Sequence, residues 1–527
     1  MAIESDHLQN PAAHSEEEQP LLSTQDPPSF SSHQHSQQQY LKRKFRERPV
    51  VFVALCLIIL LVIDFCGALT ITPQTRIYEA IVCRKYYDEH LPEQFPYGEE
   101  IPEEQCKIAA VQGEVALVNG LQTSFDAIPS ILLSVSYGRL ADSPRYGRKL
   151  ILILSLVGVL LDSYWAVFVC WFPHIFSLRA VWFGSAFTII GGGLGVLSSM
   201  IVTMISDVVA PENRATAMFQ LSIPMVIAQL TGPAIAAWMM SRGSPWPPFL
   251  IGVFGATLGP LLLLLLPETI HLRVPNTTKV SASSSSTPTK KPFTRLPNPL
   301  HLLRTTLQDS KPIFRSPMVL RILPGFFVYN VGQQQMGLIF QYISTRYHIP
   351  LSATGFSLSI YAGVNIFLLT TLLPSLSKYL KSHIYTKHTQ PGPATDLFLS
   401  KYSILLLTLG CLFLSLAPTL PATIAGLVIY TLGNGFGALL LSLISTFVDA
   451  AHIARLYSVT FVVATAGSFV GGPLLAALFN LGLGMGGGVW SGLPFLGNAA
   501  LHGLVCLAIW SVRLAVLRGG EGGEEGE

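Results

Sequence analysis

Three aspartates, Asp64, Asp126 and Asp162, lie inside otherwise apolar stretches of the chain. Counted from the ends of those stretches at 1.5 Å per helical residue, each sits roughly 18 to 21 Å deep in a bilayer-spanning helix, near its middle. An ionised carboxylate at that depth is costly and faces a cavity or a partner. The chemistry these residues could do is therefore to load and release a proton or a cation. Each could also be a structural Asp, protonated or hydrogen-bonded in place. A later stretch offers a different chemistry, with Tyr329, Asn330, Gln333, Gln334, Gln335 and Gln341 close together and Asn365 and Asn434 further on. Neutral amides bond a polar solute without carrying charge into lipid. Tyr329 and Gln333 are one helical turn apart and share a face, as do Gln334 and Gln341. Consecutive glutamines cannot all face one way, so at least one of them bonds between helices. Arg321 and Arg346 fall at segment ends rather than at this depth, so the expected solute is neutral, zwitterionic or cationic.

Helices in a membrane must position these side chains. Half of the 527 residues are hydrophobic, only 12% are charged, and the mean hydropathy is +0.49, a balance that places the chain among integral membrane proteins. A net charge of +3 without a basic folded module argues against nucleic acid as a partner. The seven cysteines show no C-x-x-C spacing, and no metal, cofactor or catalytic constellation is visible, so no enzyme is expected. Cys83 and Cys106 flank one polar loop, where a disulfide or two free thiols are both open readings.

Apolar runs of about 20 residues, the length needed to span a bilayer, occur at Val50–Ile71, Ala109–Gly138, Leu150–Phe172, Leu178–Ile205, Thr216–Met240 and Phe249–Leu266. They resume at Met318–Ser344, Thr354–Leu376, Leu397–Ala417, Ala422–Phe447, Tyr457–Leu481 and Leu493–Leu517. The expectation is an all-α membrane protein of twelve spans in two six-helix pseudo-repeats. Its divisions are a cytoplasmic tail (1–49), a first bundle (50–267), a linker (268–317), a second bundle (318–517) and an acidic tail (518–527). Self-similarity supports the duplication. Gly191, Gly193, Gly195 and Asp207 align without a gap on Gly433, Gly435, Gly437 and Asp449, and Arg214 and Gly232-Pro233 return, slightly slipped, as Arg455 and Gly472-Pro473. A parallel repeat of this kind suits two bundles rocking about a central site. Basic residues before the first span, after the second and through the linker place both termini in the cytoplasm. No cleavable signal peptide is seen.

The loop Gly138-Arg139-Leu140-Ala141-Asp142-Ser143-Pro144-Arg145-Tyr146-Gly147-Arg148-Lys149 resembles the G-x-L-A-D-x-x-G-R-K signature of the major facilitator superfamily. The resemblance, which covers about Val50 to Leu517, implies a twelve-helix transporter working by alternating access as a monomer in lipid. It implies a gate role for Gly138, Asp142, Arg145, Gly147, Arg148 and Lys149, locking a helix end across the interface between halves. This chain carries two additional residues between Asp142 and Gly147, and its equivalent loop after Leu376 lacks the Asp and the glycines. In the family's arrangement the first span lines the cavity, the second lies at the interface and the third is peripheral, which ranks Asp64 ahead of Asp126 and Asp162 for proton coupling. Gly232-Pro233 is similar to the G-P core found in many exchangers, although a Gly-Pro bend suffices structurally. Pro267-Glu268-Thr269 resembles a frequent ending of the sixth span, where the Glu meets basic loop ends. The outer loop with Tyr78, Cys83 and Cys106 looks like that of eukaryotic, fungal facilitators loosely similar to proton-coupled folate carriers. Glu17 to Leu22 fits an E-x-x-x-L-L sorting pattern, so the plasma or the vacuolar membrane is expected. The expected partners are a small-molecule solute, protons and the bilayer. The rival readings are a solute-binding receptor or scaffold without net transport, and a channel, which two facing halves disfavour.

Overall fold

The computed structural model describes residues 49–96, 101–141, 143, 145–209, 214–269, 317–383, 391–445 and 453–512. The amino-terminal tail with its Glu17 to Leu22 pattern, the linker beyond 269, Asp142, Asp449 and the acidic tail lie outside the described residues.

The first half of the chain forms α1 (Pro49–His90), α2 (Ala109–Ala141), α3 (Gly147–Trp171), a 3₁₀ segment (Leu178–Ile189), α4 (Gly193–Val208), α5 (Arg214–Ser241), α6 (Trp246–Gly255) and α7 (Leu258–Leu263). The second half forms α8 (Pro317–Gln333), α9 (Gln335–Tyr347), α10 (Leu351–Phe367), α11 (Leu373–His383), α12 (Pro391–Leu416), α13 (Leu420–Leu432), α14 (Phe436–Ser445), α15 (Ile453–Gly484) and α16 (Leu493–Trp510). Among the described residues, 10 helical stretches are long and apolar enough to cross a membrane. The two expected spans that fall outside that measure have a physical reason. α2 carries Gln112, Glu114, Asn119, Gln122 and Asp126, and the seventh span is broken at Gln334 into helices of 17 and 13 residues. Large apolar side chains such as Phe183, Leu504 and Leu507 stand 71%, 66% and 72% exposed on the outside of the helices, where lipid rather than water is their natural solvent.

One expectation needs correction. The first helix does not stop at Ile71 but continues to His90 with Pro73 inside it, because Arg84–Asp88 and Lys85–Glu89 pairs one turn apart support the polar extension. Its end is fixed by a disulfide between Cys83 and Cys106, whose Cα atoms lie 5.3 Å apart.

The halves meet along two helix crossings, α2 on α15 and α5 on α10. Both use small residues. At Gly120 and Gly472 the two backbones touch, and a Cβ on Gly355 would lie 3.0 Å from the carbonyl oxygen of Pro233. Only residues without side chains let helices approach this closely. Ser124 donates to the Phe469 carbonyl at 2.5 Å and Asn480 to that of Gly113 at 3.1 Å, completing the first crossing.

Candidate functional site: two polar clusters at helix breaks

The fourth and tenth spans are interrupted at corresponding places. In the first half, Gly191, Gly192 and Gly193 take φ values of 122°, 86° and 67°, which side chains resist, and the break separates the 3₁₀ segment from α4. Tyr137 donates to the carbonyl of Ile189, Ser130 to that of Gly192 and Ser155 to that of Gly191, at 2.8, 2.9 and 2.6 Å, satisfying the freed backbone. In the second half, α13 ends at Leu432 and α14 begins at Phe436, leaving Gly433, Asn434 and Gly435 between them. The duplicated glycines thus mark duplicated breaks. Interrupted helices at matching positions of two repeats are where membrane carriers expose backbone and polar groups at mid-depth.

Each interrupted span carries a polar cluster, six residues before the break in the first half and in the break itself in the second. In the first half, Ser185 of the 3₁₀ segment donates to Asp126 Oδ1 at 2.5 Å, while its neighbour Gly184 lies against Asp162 Oδ1, where a Cβ would collide. Consecutive residues therefore hold the two carboxyls on either side of one turn. Asp162 Oδ1 has no hydrogen-bond partner among the described residues. Nearby, Gln74 donates to the Tyr78 hydroxyl at 2.6 Å, and that hydroxyl donates to Gln122 Oε1 at 3.2 Å. Asp64 is half-buried and makes no hydrogen bond or ion pair among the described residues.

In the second half, Asn434 is the hub. Tyr329 donates to its carbonyl and to its Oδ1, both at 3.0 Å, and Gln333 donates to Oδ1 at 2.7 Å. Its Nδ2 donates to the Tyr361 hydroxyl and to Asn365 Oδ1, each at 3.1 Å. Four of the residues expected to bind solute, Tyr329, Gln333, Asn365 and Asn434, thus come together. Gln334 does not join them; it lies in the break between α8 and α9 and faces Gly471 of α15, where an added Cβ would stand 2.9 Å from Gln334 Cγ. Gln341 bonds the Gln112 carbonyl at 2.9 Å and ties the halves together. Sequence reasoning missed Tyr361, Ser185 and the Tyr78–Gln122 pair, none of which is charged or placed in a pattern that announces it.

The signature loop is held inside the first half. Glu268 accepts from the backbone N–H groups of Arg148 and Lys149, each at 3.0 Å, so one carboxylate caps the start of α3. Gly147 has φ 75°, and a Cβ there would run into Glu268. The Arg148 guanidinium pairs with Asp207 of α4 and donates to the Thr203 carbonyl at 3.1 Å, and Lys149 Nζ reaches the Leu264 carbonyl at 2.7 Å. Arg145 is exposed, its guanidinium 5.8 Å from the Tyr146 ring, and Gly138 faces open space. Asp207 carries a role that the repeat alignment singled out only as a landmark.

At the opposite end a crevice of about 1600 Å³ is lined by Arg76, Glu103, Glu114, Trp171, Arg179 and Ser352 among others. No member of the two clusters lines it.

The sequence profile of the Major Facilitator Superfamily matches residues 113–472. The chain is 30% identical to the MFS efflux pump atnC of Emericella nidulans over 470 residues, 88% of each protein. It is 32% identical to the MFS-type transporter aprT of Aspergillus flavus over 457 residues, 87% of each. The crystal structure of the nucleoside transporter NupG superposes with a TM-score of 0.57 at 12% identity, covering 88% of this chain and 100% of that one, which is a likeness of fold alone. With a profile spanning most of the chain and relatives matched along nearly their full length, the chain belongs to the major facilitator superfamily and is a multi-pass membrane transporter.

Proposed function

We propose that the protein is a proton-coupled secondary transporter that moves a small neutral, zwitterionic or cationic organic solute by alternating access, in the direction of export. The observation that carries this reading is the pairing of interrupted spans with polar clusters, carboxyls against the first interrupted span and amides around the break of the second. The division of labour follows from the chemistry. Asp126 and Asp162, held on one turn by Ser185 and Gly184, exchange protons, since two neighbouring carboxyls do not both ionise readily. Asn434 and its partners bind solute by exchanging internal hydrogen bonds for equivalent bonds to the cargo. Asp64, unpaired on α1, is a third candidate for coupling. The efflux-pump name of the relative atnC favours export over uptake.

In this reading the molecule has two bundles of six helices, with α2 and the broken α8–α9 segment crossing the membrane beside the ten apolar stretches. Both termini are cytoplasmic, the Cys83–Cys106 disulfide lies on the oxidising side, and the plasma or vacuolar membrane is the site of action. The state described has the halves joined at the Glu103 end, and the Gly147 loop stiffens the first bundle as it rocks.

The experiment uses vesicles containing the purified protein. Untargeted mass spectrometry of extract taken up by loaded against protein-free vesicles identifies a solute, and an imposed pH gradient then tests the drive. Saturable flux that responds to the gradient, and that loses the response in Asp126→Asn or Asp162→Asn, supports the proposal. Flux indifferent to the gradient in the native protein removes proton coupling.

A further inference from the structure

Gln333 and Gln335 stand on either side of the break in the seventh span and bond in opposite directions. Gln333 enters the Asn434 cluster. Gln335, wholly buried, turns into a separate polar pocket enclosed by α12, α13 and α16. Its Oε1 accepts from Asn498 Nδ2 at 2.9 Å and from the Cys411 thiol at 3.5 Å. One turn along α16, His502 Nδ1 lies 2.8 Å from the main-chain oxygen of Asn498. A carbonyl oxygen only accepts, so Nδ1 carries the hydrogen and Nε2 of the neutral ring is left as an acceptor.

Four polar atoms in this pocket make no close hydrogen bond among the described residues: Gln335 Nε2, Asn498 Oδ1, His502 Nε2 and the Tyr430 hydroxyl, with the Gln335 amide and the Tyr430 hydroxyl near neighbours. All four residues are 0% exposed, and native interiors rarely leave such groups unpaired. Their chemistry is complementary. Gln335 Nε2 and the Tyr430 hydroxyl donate, while Asn498 Oδ1 and His502 Nε2 accept. Water accepts two hydrogen bonds and donates two, and buried waters sit where several otherwise unpaired groups converge. The Gly332 backbone packs against the imidazole edge, where an added Cβ would come within 2.9 Å of Nε2.

We propose that the pocket between Gln335, Tyr430, Asn498 and His502 binds one water molecule, and that this water pins the break at Gln334 to α13 and α16. Among the described residues no carboxylate, Lys or Arg is bonded to Gln335, Asn498 or His502, so the ligand is neutral. The consequence is mechanical. The break is bonded on one side through this internal water and on the other through the Asn434 cluster.

The test is a cryo-EM map of the full-length protein in lipid nanodiscs at a resolution that shows ordered water. A single peak within hydrogen-bond reach of at least three of the four atoms supports the proposal; direct pairing of the side chains with no peak overturns it. A second measurement does not depend on the map. Tyr430→Phe and His502→Leu each remove one arm of the bridge while keeping an apolar core, and thermal unfolding is recorded for both singles and the double. If the arms meet through one water, the double variant loses clearly less in Tm than the two singles combined; simple additivity overturns the bridge.

Discussion

The backbone N–H of Leu351, the first residue of α10, donates to Oε1 of Glu103 at 2.7 Å, so a carboxylate from one half of the chain caps a helix of the other. The negative charge sits at the positive end of the helix dipole, where it is stabilised. Glu103 is itself held by Lys107 at 2.9 Å and Arg76 at 3.2 Å. Lys107 also meets Glu79 at 2.6 Å, and Gln112 donates to the same carboxylate at 2.5 Å before accepting from Gln341. The disulfide ends one residue before Lys107. Most of this network is assembled within the first half, and among the described residues it grips the second half through Leu351 and Gln341.

Opening at this end therefore requires Glu103 to release α10. Burial pushes the Glu103 carboxyl up, but Lys107, Arg76 and the Leu351 N–H outweigh it and hold the group below its ordinary value. A depressed pKa means the contact is at full strength above the ordinary glutamate range, about 4.3, and is lost as pH falls through the lowered value. Between pH 5 and 8 the clasp should be insensitive to pH. Spin labels at the exposed positions Glu104 and Ala353 read it by electron–electron distance. The native protein should keep one short population down to pH 5, and Glu103→Ala should add a longer one at every pH. A native distance that lengthens between pH 8 and pH 5 would contradict the assignment.

Gly147 is constrained twice, by its left-handed backbone and by the Glu268 carboxylate against its Cα. A non-glycine residue in that conformation costs about 1–3 kcal/mol, and displacing Glu268 uncaps α3 as well. Gly147→Ala should lower Tm and cut flux more than Glu268→Gln, which keeps one acceptor oxygen. Equal loss in the two variants would mean that backbone conformation at Gly147 does not matter.

How much of this was legible in the chain varies by residue. Ten of the expected spans were legible because apolar length is a property of composition, whereas the repeated glycines were legible as a duplication and as packing faces, not as helix breaks. The Tyr329–Gln333 face survives because both lie on unbroken α8. The fate of the three glutamines did not follow from spacing, because the helix stops at Gln333 and restarts at Gln335, so each residue points to a different neighbour. The nearness of Asp126 and Asp162 was hidden too. It depends on a 3₁₀ segment that presents Gly184 and Ser185 to different helices, where an α-helix had been expected. The charged loop before Lys107 was legible as polar but not as a clasp, because its partner is a main-chain N–H, which no side-chain pattern records.

In the Asn434 cluster, Tyr361→Phe removes one acceptor and Asn434→Leu removes the hub. A neutral hydrogen bond contributes about 0.5–1.5 kcal/mol, so Tyr361→Phe should raise KM about two- to tenfold with little change in maximal flux. Asn434→Leu should raise it further. If Tyr361→Phe instead lowers maximal flux at unchanged KM, the cluster serves the conformational change and not the cargo.

The crossings at Gly120–Gly472 and at Gly355 predict that the halves tolerate no added volume between them. A Cβ at Gly472 would meet the Gly120 backbone, and one at Gly355 would meet Ala237 Cβ at 3.0 Å, whereas one at Gly138 would meet nothing within 4 Å. Overpacking costs about 1–3 kcal/mol, and here it acts on the contact that joins the halves rather than on either half alone. Gly472→Val and Gly355→Val should therefore suppress flux and shift the Glu104–Ala353 distance towards the longer population, while Gly138→Ala leaves both unchanged. Because the distance reports on separation of the halves and not on folding, a Gly472→Val protein that is well folded, inactive and still short at that end would show that the crossing is not where the halves part.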